Sequence, residues 1–454
     1  MRRLFAIAAC IGLAACAAPE TSRRADMGVS LPPMKTFERK PSAMPRLSND
    51  ALARDFLELT FVLENGMEMS RFTRFEGPVT VRVKGAAPPS LSTDLDALIA
   101  RLRAEADIDI RRAAAGETAS IVIQPVKRST IQRAAPSAAC FVRPNVASFD
   151  EYRRRSKDPT TFWNRLESRE QMAIFLPSDV SPQEVRDCLH EEVAQALGPV
   201  NDVYRLSQSI FNDDNFHTVL TGYDMLILRA YYDPALRNGM TEAEVARRLP
   251  AVLARLNPGG GTAGPVKRAP ASESWDRAID TATSPRASRS KRLKAASEAV
   301  NLAKAYGPRD TRLAFSHYVL GRLQLTQNPD KALASFLAAG RIYQTRPDTA
   351  IQEAHVAMQM AAFQLSLGRP DVAIGLVDQN LPAVRRAEHA ALLSLFLMVK
   401  AEALMLKGDT ARGAAVQTEA LGWARYGFGS PSEISARAAE IATISPRARR
   451  DSQT

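Results

Sequence analysis

The sequence predicts two structural classes in one chain: an α+β domain over residues 48–256 and an all-α repeat domain over residues 273–445. Three observations carry this expectation. Before residue 257, short stretches of alternating apolar side chains interrupt stretches of helical spacing, as in a module that mixes strands and helices. Asn257-Pro258-Gly259-Gly260-Gly261-Thr262-Ala263-Gly264-Pro265 sustains neither helix nor strand, because glycine maximises backbone freedom and proline removes a donor, so residues 257–272 read as a linker. From Leu293 onward helical spacing is almost unbroken, and it repeats.

Bulk properties narrow the function classes. A chain of 454 residues with 45% hydrophobic and 24% charged residues is neither disordered throughout nor a multi-span membrane protein. Its 60 Lys and Arg exceed its 49 Asp and Glu, a balance that admits nucleic acid, anionic lipid or acidic envelope polymers as partners. Four cysteines and five histidines exclude a disulfide-rich scaffold and a zinc-finger array.

The N-terminus selects among those partners. Met1-Arg2-Arg3 is a basic start, Leu4 to Ala15 is an apolar run too short to be a finished membrane span, and Cys16 follows small residues, which together predict an export signal over residues 1–16. Leu13-Ala14-Ala15-Cys16 resembles a bacterial lipobox. That resemblance implies cleavage before Cys16, acylation of the cysteine, and anchoring to a membrane without a transmembrane helix. Ala17 stands where an inner-membrane retention signal would place aspartate, so the expected location is the periplasmic face of the outer membrane, and nucleic acid is not expected as a partner. Residues 17–47, with five prolines, read as a flexible tether. Cys140 and Cys188 are then the cysteines left to the mature domain, and an oxidising compartment favours their pairing; two buried free thiols are the alternative.

Within residues 48–256, helical spacing over 49–64 and Leu91–Ala104 alternates with strand candidates Val79–Val83, Ile108–Ile110, Ser120–Val126, Cys140–Val142 and Met172–Leu176. Ser181-Pro182-Gln183-Glu184 reads as a capping box with proline at the first helical position, and Gly198 ends the helix it starts. In the second domain the basic stretch Ser284–Arg292 reads as a solvated helix start. Small residues recur forty apart at Gly321, Ala361 and Ala401, and turn residues follow each by seven at Asn328, Gly368 and Gly408. The pattern is helix, tight turn, helix, with the small residue where two helices approach closely. Ala354–Val377 and Leu392–Ala415 resemble tetratricopeptide repeats in this spacing, with three units visible and Leu293–Tyr306 as a partial one. The resemblance implies a surface that binds a protein or peptide.

The chemically informative segment is Glu191-Glu192-Val193-Ala194-Gln195-Ala196-Leu197-Gly198-Pro199-Val200-Asn201-Asp202. It resembles the metzincin zinc-protease pattern HExxHxLGxxH followed by Asp, in a register set by Leu197-Gly198 and Asp202. The resemblance implies a zincin-like fold, with Glu192 at the place of the catalytic glutamate and Glu191, Gln195 and Asn201 at the places of the three zinc-binding histidines. Leu220–Tyr232 resembles the segment near the end of such domains. Zinc takes strong nitrogen, sulfur or carboxylate donors, and amide oxygens suit harder cations, so no tight zinc site and no cofactor are expected. His190 is one position early, a rotation of 100° on a helix, and cannot substitute. The order of Arg74–Val79, Cys140–Val142, the Glu191–Gly198 helix, Asn201-Asp202, Ser209–Asp213 and Gly239-Met240 is similar to an uncharacterised bacterial lipoprotein family, domain of unknown function 2927, over about residues 50–250. The expected role is a non-catalytic envelope scaffold that binds a protein or peptide partner through its repeats, with the protease-like cleft as a second site. The alternative is a divergent metal-dependent hydrolase with Glu192 as general base.

Overall fold

A computed structural model describes residues 31–38, 41–261, 264, 266–268 and 272–447. The leader with Cys16 and parts of the linker lie outside the described residues. The chain divides into two compact units, Glu38–Pro270 and Ala271–Thr454 together with Met1–Phe37.

The first unit is α+β. Its helix α1 (Asn49–Phe61) starts at Ser48, whose hydroxyl accepts from Ala51 N. It stops at Phe61, short of the expected residue 64, because Leu63–Gly66 turns back to pair Val62 with Glu68. Strand β1 (Val79–Val83) and helix α2 (Leu91–Ala106) follow. Asp107 takes a left-handed φ of 57° and closes α2 with Ile108 N bonded to Leu102 O, a turn that moves β2 to Ile110–Arg112 instead of 108–110. Then come β3 (Ile121–Val126), α3 (Arg128–Ala134), β4 (Phe141–Pro144), α4 (Phe149–Arg154), β5 (Met172–Pro177), α5 (Pro182–Leu197), α6 (Gly222–Tyr231) and α7 (Glu242–Leu256).

The five strands form one sheet in the order β2-β1-β3-β5-β4. Strands β2, β1, β3 and β5 run parallel, and β4 pairs antiparallel to β5 with Phe141 opposite Phe175. All six residues of β5 are buried, so its sequence is a continuous apolar run with no alternation. Period-two geometry still separates its side chains: Met172, Ile174 and Leu176 join the main core, while Ala173 and Phe175 pack with Val146 and Phe149 on the other face. Helices α1, α2, α5, α6 and α7 close the main core.

Part of the stretch expected to be a flexible tether is held in place. In the first unit Ser42 N donates to Glu105 Oε2 at 3.2 Å and Arg101 donates to the Ser42 hydroxyl. A Cβ on Gly222 would lie 1.9 Å from the Ala43 carbonyl oxygen, so only glycine lets that segment pass.

The second unit is helical: α8 (Glu273–Thr283), α9 (Arg289–Ala303), α10 (Thr311–Gln324), α11 (Pro329–Tyr343), α12 (Ala350–Ser366), α13 (Pro370–Arg386), α14 (Ala390–Leu406), α15 (Thr410–Gly427) and α16 (Pro431–Ile444). Consecutive helices pack as pairs, α8 with α9, α10 with α11, α12 with α13 and α14 with α15, and α16 lies against α12, α14 and α15. The stretch Leu293–Tyr306, expected as a partial unit, belongs to a complete first pair whose opening helix α8 is anchored by the fully buried Trp275 and its 2.9 Å bond to Ser316 Oγ. Ala361 and Ala401 are fully buried, and a Cβ on Gly321 would sit 2.9 Å from the Phe336 ring. Gly368 and Gly408 take φ of 70° and 88° in the turns after α12 and α14, a conformation that suits glycine. Among the described residues, no helix is long and apolar enough to cross a membrane.

Candidate functional site

The site is built on β5, the turn after it, and α5. Ser181 caps α5 by accepting from Glu184 N at 3.2 Å, with Pro182 at the first helical position. The return half of the expected capping box is replaced: the Glu184 carboxylate pairs with Arg128 instead of folding back on the cap. Val185, Leu189, Val193 and Ala196 are fully buried and press α5 onto the core.

The C-terminal end of α5 is held by a residue that sequence reading missed. Arg169 is 4% exposed and donates to Gln195 O at 2.6 Å, Ala196 O at 2.9 Å and Gly198 O at 2.5 Å. Its guanidinium thus satisfies carbonyls that have no partner within the helix, and it opposes the negative end of the helix dipole. Burial lowers its pKa to about 10, so it stays charged at neutral pH. Its Nε donates to Thr73 Oγ1 at 3.2 Å and its plane lies 5.2 Å from the Trp163 ring centre. An arginine remote in sequence, with no carboxylate spaced beside it on a helix, carries no local mark of this role.

Two motif fragments thirty residues apart meet here. A Cβ on Gly198 would lie 2.9 Å from the Tyr231 ring, so the glycine admits the ring. The Tyr232 hydroxyl donates to Leu197 O at 3.2 Å, and the Tyr231 hydroxyl lies 2.5 Å from Thr60 Oγ1. Asp224, fully buried on α6, accepts from Ser209 Oγ at 2.5 Å and Thr221 N at 2.7 Å, and burial raises its pKa to about 6.

Cys140 and Cys188 form a disulfide that ties β4 to α5. It places the Cys140 sulfur beside Glu191 and Glu192, with all three ligand-type atoms within 4.8 Å of one another. Glu192 is 3% exposed. Its carboxyl accepts from the Val142 backbone N–H, while Oε2 has no hydrogen-bond partner. Burial first, then the neighbouring Glu191 and Glu64 carboxylates, push the Glu192 pKa well above the usual range. Burial and then Asp213 and Glu64 raise Glu191 to about 8, and burial followed by Glu191 and Asp213 raises Asp202. The three acids cannot all be ionised together at neutral pH.

The residues at the three expected ligand places do not act as one set. Glu191 lies with Glu192. Gln195 Nε2 donates to Asp202 Oδ2 at 3.2 Å, and Asn201 Nδ2 points to Glu58 O at 3.4 Å. His190 Nδ1 accepts from Leu220 N at 3.1 Å and His217 Nε2 contacts Ser207 O at 3.0 Å; burial lowers the pKa of both, His217 to about 4. Asp202, Asp213 and Glu64 were not expected as site residues, and Glu64 reaches the cluster from the turn after α1, a distance no local motif encodes. An open depression of about 520 Å³ bounded by Asn145, Thr160, Arg165 and Glu170 shares no residue with this cluster.

Residues 49–251 match the family described as Protein of unknown function (DUF2927). No curated protein matches the chain.

Proposed function

We propose that this chain is a lipid-anchored scaffold at the periplasmic face of the outer membrane, with a degenerate zincin-like first unit and a tetratricopeptide-like second unit that binds a protein or peptide. The observation that carries the non-catalytic reading is the engagement of the three ligand places. Two present neutral amides, weak zinc donors through their oxygens, with their nitrogens turned to Asp202 and to the Glu58 carbonyl, and one presents a carboxyl that holds a proton near neutral pH. The nearby Cys140 sulfur is half of a disulfide and offers no thiolate. Such a donor set does not fit zinc, which takes three strong donors and leaves one position open for water.

The second unit supports the binding half of the reading through its architecture. Successive helix pairs bury a shared core and leave long outer surfaces, and a lipid anchor at Cys16 would hold those surfaces in the envelope. The balance of 60 basic over 49 acidic residues suits an acidic partner or anionic lipid at close range.

One observation favours a second reading, in which Glu192 is a general base for hydrolysis: a carboxyl with a buried, unpartnered oxygen and a raised proton affinity is a recurrent feature of active sites. Elemental analysis of chelator-free protein separates the two. The scaffold reading expects below about one-tenth equivalent of zinc, because tight binding needs the missing strong donors. Stoichiometric zinc with peptidase activity abolished in Glu192→Gln would overturn it. Crosslinking in intact cells, with adducts mapped to residues 273–445, tests the binding role, and adducts absent from that region refute it.

A further inference from the structure

The helical unit already holds one peptide. Residues 31–37, Leu-Pro-Pro-Met-Lys-Thr-Phe, run extended along α15, and their mode of attachment is that of a ligand more than of a core element. Lys35 N donates to Gly422 O at 3.0 Å, and Arg425 Nη1 donates to Pro32 O at 2.9 Å. Phe37 packs on Trp423 with ring centres 4.4 Å apart. Lys35 Nζ lies 3.8 Å from Glu419 and 6.0 Å from the Trp423 ring centre.

The receiving face is shaped for a backbone. A Cβ on Gly422 would come within 3.2 Å of both the Pro33 oxygen and Lys35 Cγ, so a glycine on the surface of α15 lets the strand settle there. The Gly422 carbonyl sits inside α15, four residues before Tyr426 N, and a carbonyl oxygen with two lone pairs takes the Lys35 N–H as an additional donor. Trp423 is only 6% exposed, and the aromatic side chain of the segment covers it. Met34, by contrast, is 39% exposed and contributes little. Two main-chain bonds, one aromatic contact and one screened ion pair make an attachment that reads backbone extension, an aromatic residue and a basic residue two positions before it.

We propose that this face of α15 is an exchangeable peptide site, that Leu31–Phe37 occupies it in cis, and that its external ligand is an extended, proline-containing segment carrying lysine or arginine two residues before an aromatic. The inference rests on the binding role given to the helical unit above and names the face and the chemistry of the partner. A tethered segment acts at an effective concentration on the order of millimolar, so a free peptide with a dissociation constant of about 10–100 μM competes at a disadvantage of roughly ten-fold or more until the strap is released.

The test uses the full chain and a fluorescently labelled synthetic peptide of the sequence Leu31–Glu38. Lys35→Glu with Phe37→Ala releases the strap without touching α15. Polarisation should show this variant binding the probe at least ten-fold more tightly than the unmodified chain. Adding Gly422→Leu, with helical content checked by circular dichroism, should abolish that gain, and Glu419→Lys should weaken it for this probe but not for one with Glu in place of Lys35. Absence of saturable binding to the released variant, equal binding to both chains, or binding indifferent to Gly422→Leu overturns the proposal. If the probe fails while cell crosslinking maps a partner to the helical unit, the exchangeable site falls and the scaffold reading stands. If the probe binds while no partner is captured there, the reverse holds.

Discussion

Replacing Glu192 by glutamine should make the first unit less sensitive to alkaline pH. The carboxyl oxygens of Glu191 and Glu192 lie within 4.8 Å. At that separation, and with an effective dielectric constant of about 20, two ionised carboxylates repel by roughly 3.5 kcal/mol, before the cost of burying either. The folded chain therefore keeps a proton that the unfolded chain releases near pH 4.5. A folded pKa above the unfolded one contributes stability that is fully present below the unfolded pKa and is lost as pH rises through the folded value. Each proton so retained costs about 1.4 kcal/mol per pH unit across that range. The window from pH 6.5 to 8 isolates the effect. His190 and His217, with pKa values lowered by burial, are neutral there in the folded chain, and their opposite contribution falls below pH 6.5. Over that window Glu192→Gln should gain on the wild type, by up to about 2 kcal/mol at about 1.4 kcal/mol per pH unit for one retained proton. Asp202 keeps its own raised pKa, so the variant's stability still declines with pH, but less steeply. Hydrogen exchange of peptides covering Pro182–Leu197 in the full chain, corrected for intrinsic exchange rates, reads the difference. Parallel pH profiles for wild type and variant would refute the shared-proton argument.

Other substitutions test the frame around the site. Reducing the Cys140–Cys188 bond, which closes a loop of 48 residues in sequence separation, should lower the stability of the first unit by about 4 kcal/mol in the chain-entropy picture, read by urea unfolding with and without reductant. Arg169→Met should cost about 3 kcal/mol, because it strands the buried carbonyls of Gln195, Ala196 and Gly198; increased exchange confined first to the end of α5 would be its signature. Gly198→Ala forces a methyl against Tyr231 and should cost about 1–3 kcal/mol, with a smaller penalty when Tyr231→Leu is added. Thr221→Ala removes the capping box of α6 and should cost about 1 kcal/mol by the same unfolding measurement.

Much of the architecture was legible before any coordinate. The strands at Val79, Ile121, Phe141 and Met172 and the helix begun by Ser181-Pro182 follow from local apolar spacing and from proline chemistry. Where the reading slipped, a backbone turn intervened: Asp107 displaced β2, and Glu184 found Arg128 in place of the cap. Likewise, Trp275 completed a first helix pair whose opening helix the forty-residue period did not mark.

The sequence by itself determined most of the element types, the succession of an α+β part and a helical part, and the amide and carboxyl chemistry of the motif helix, since each depends on neighbours within a few residues. Only the tertiary structure decided which groups come together: that Glu64, Asp202 and Asp213 crowd Glu191 and Glu192, that Arg169 closes the end of their helix, and, in the second unit, that Leu31–Phe37 lies on α15. Charge repulsion, close approach at a glycine and hydrogen bonding are set by distances in space, and residues more than a hundred positions apart acquire those distances only when the chain has packed.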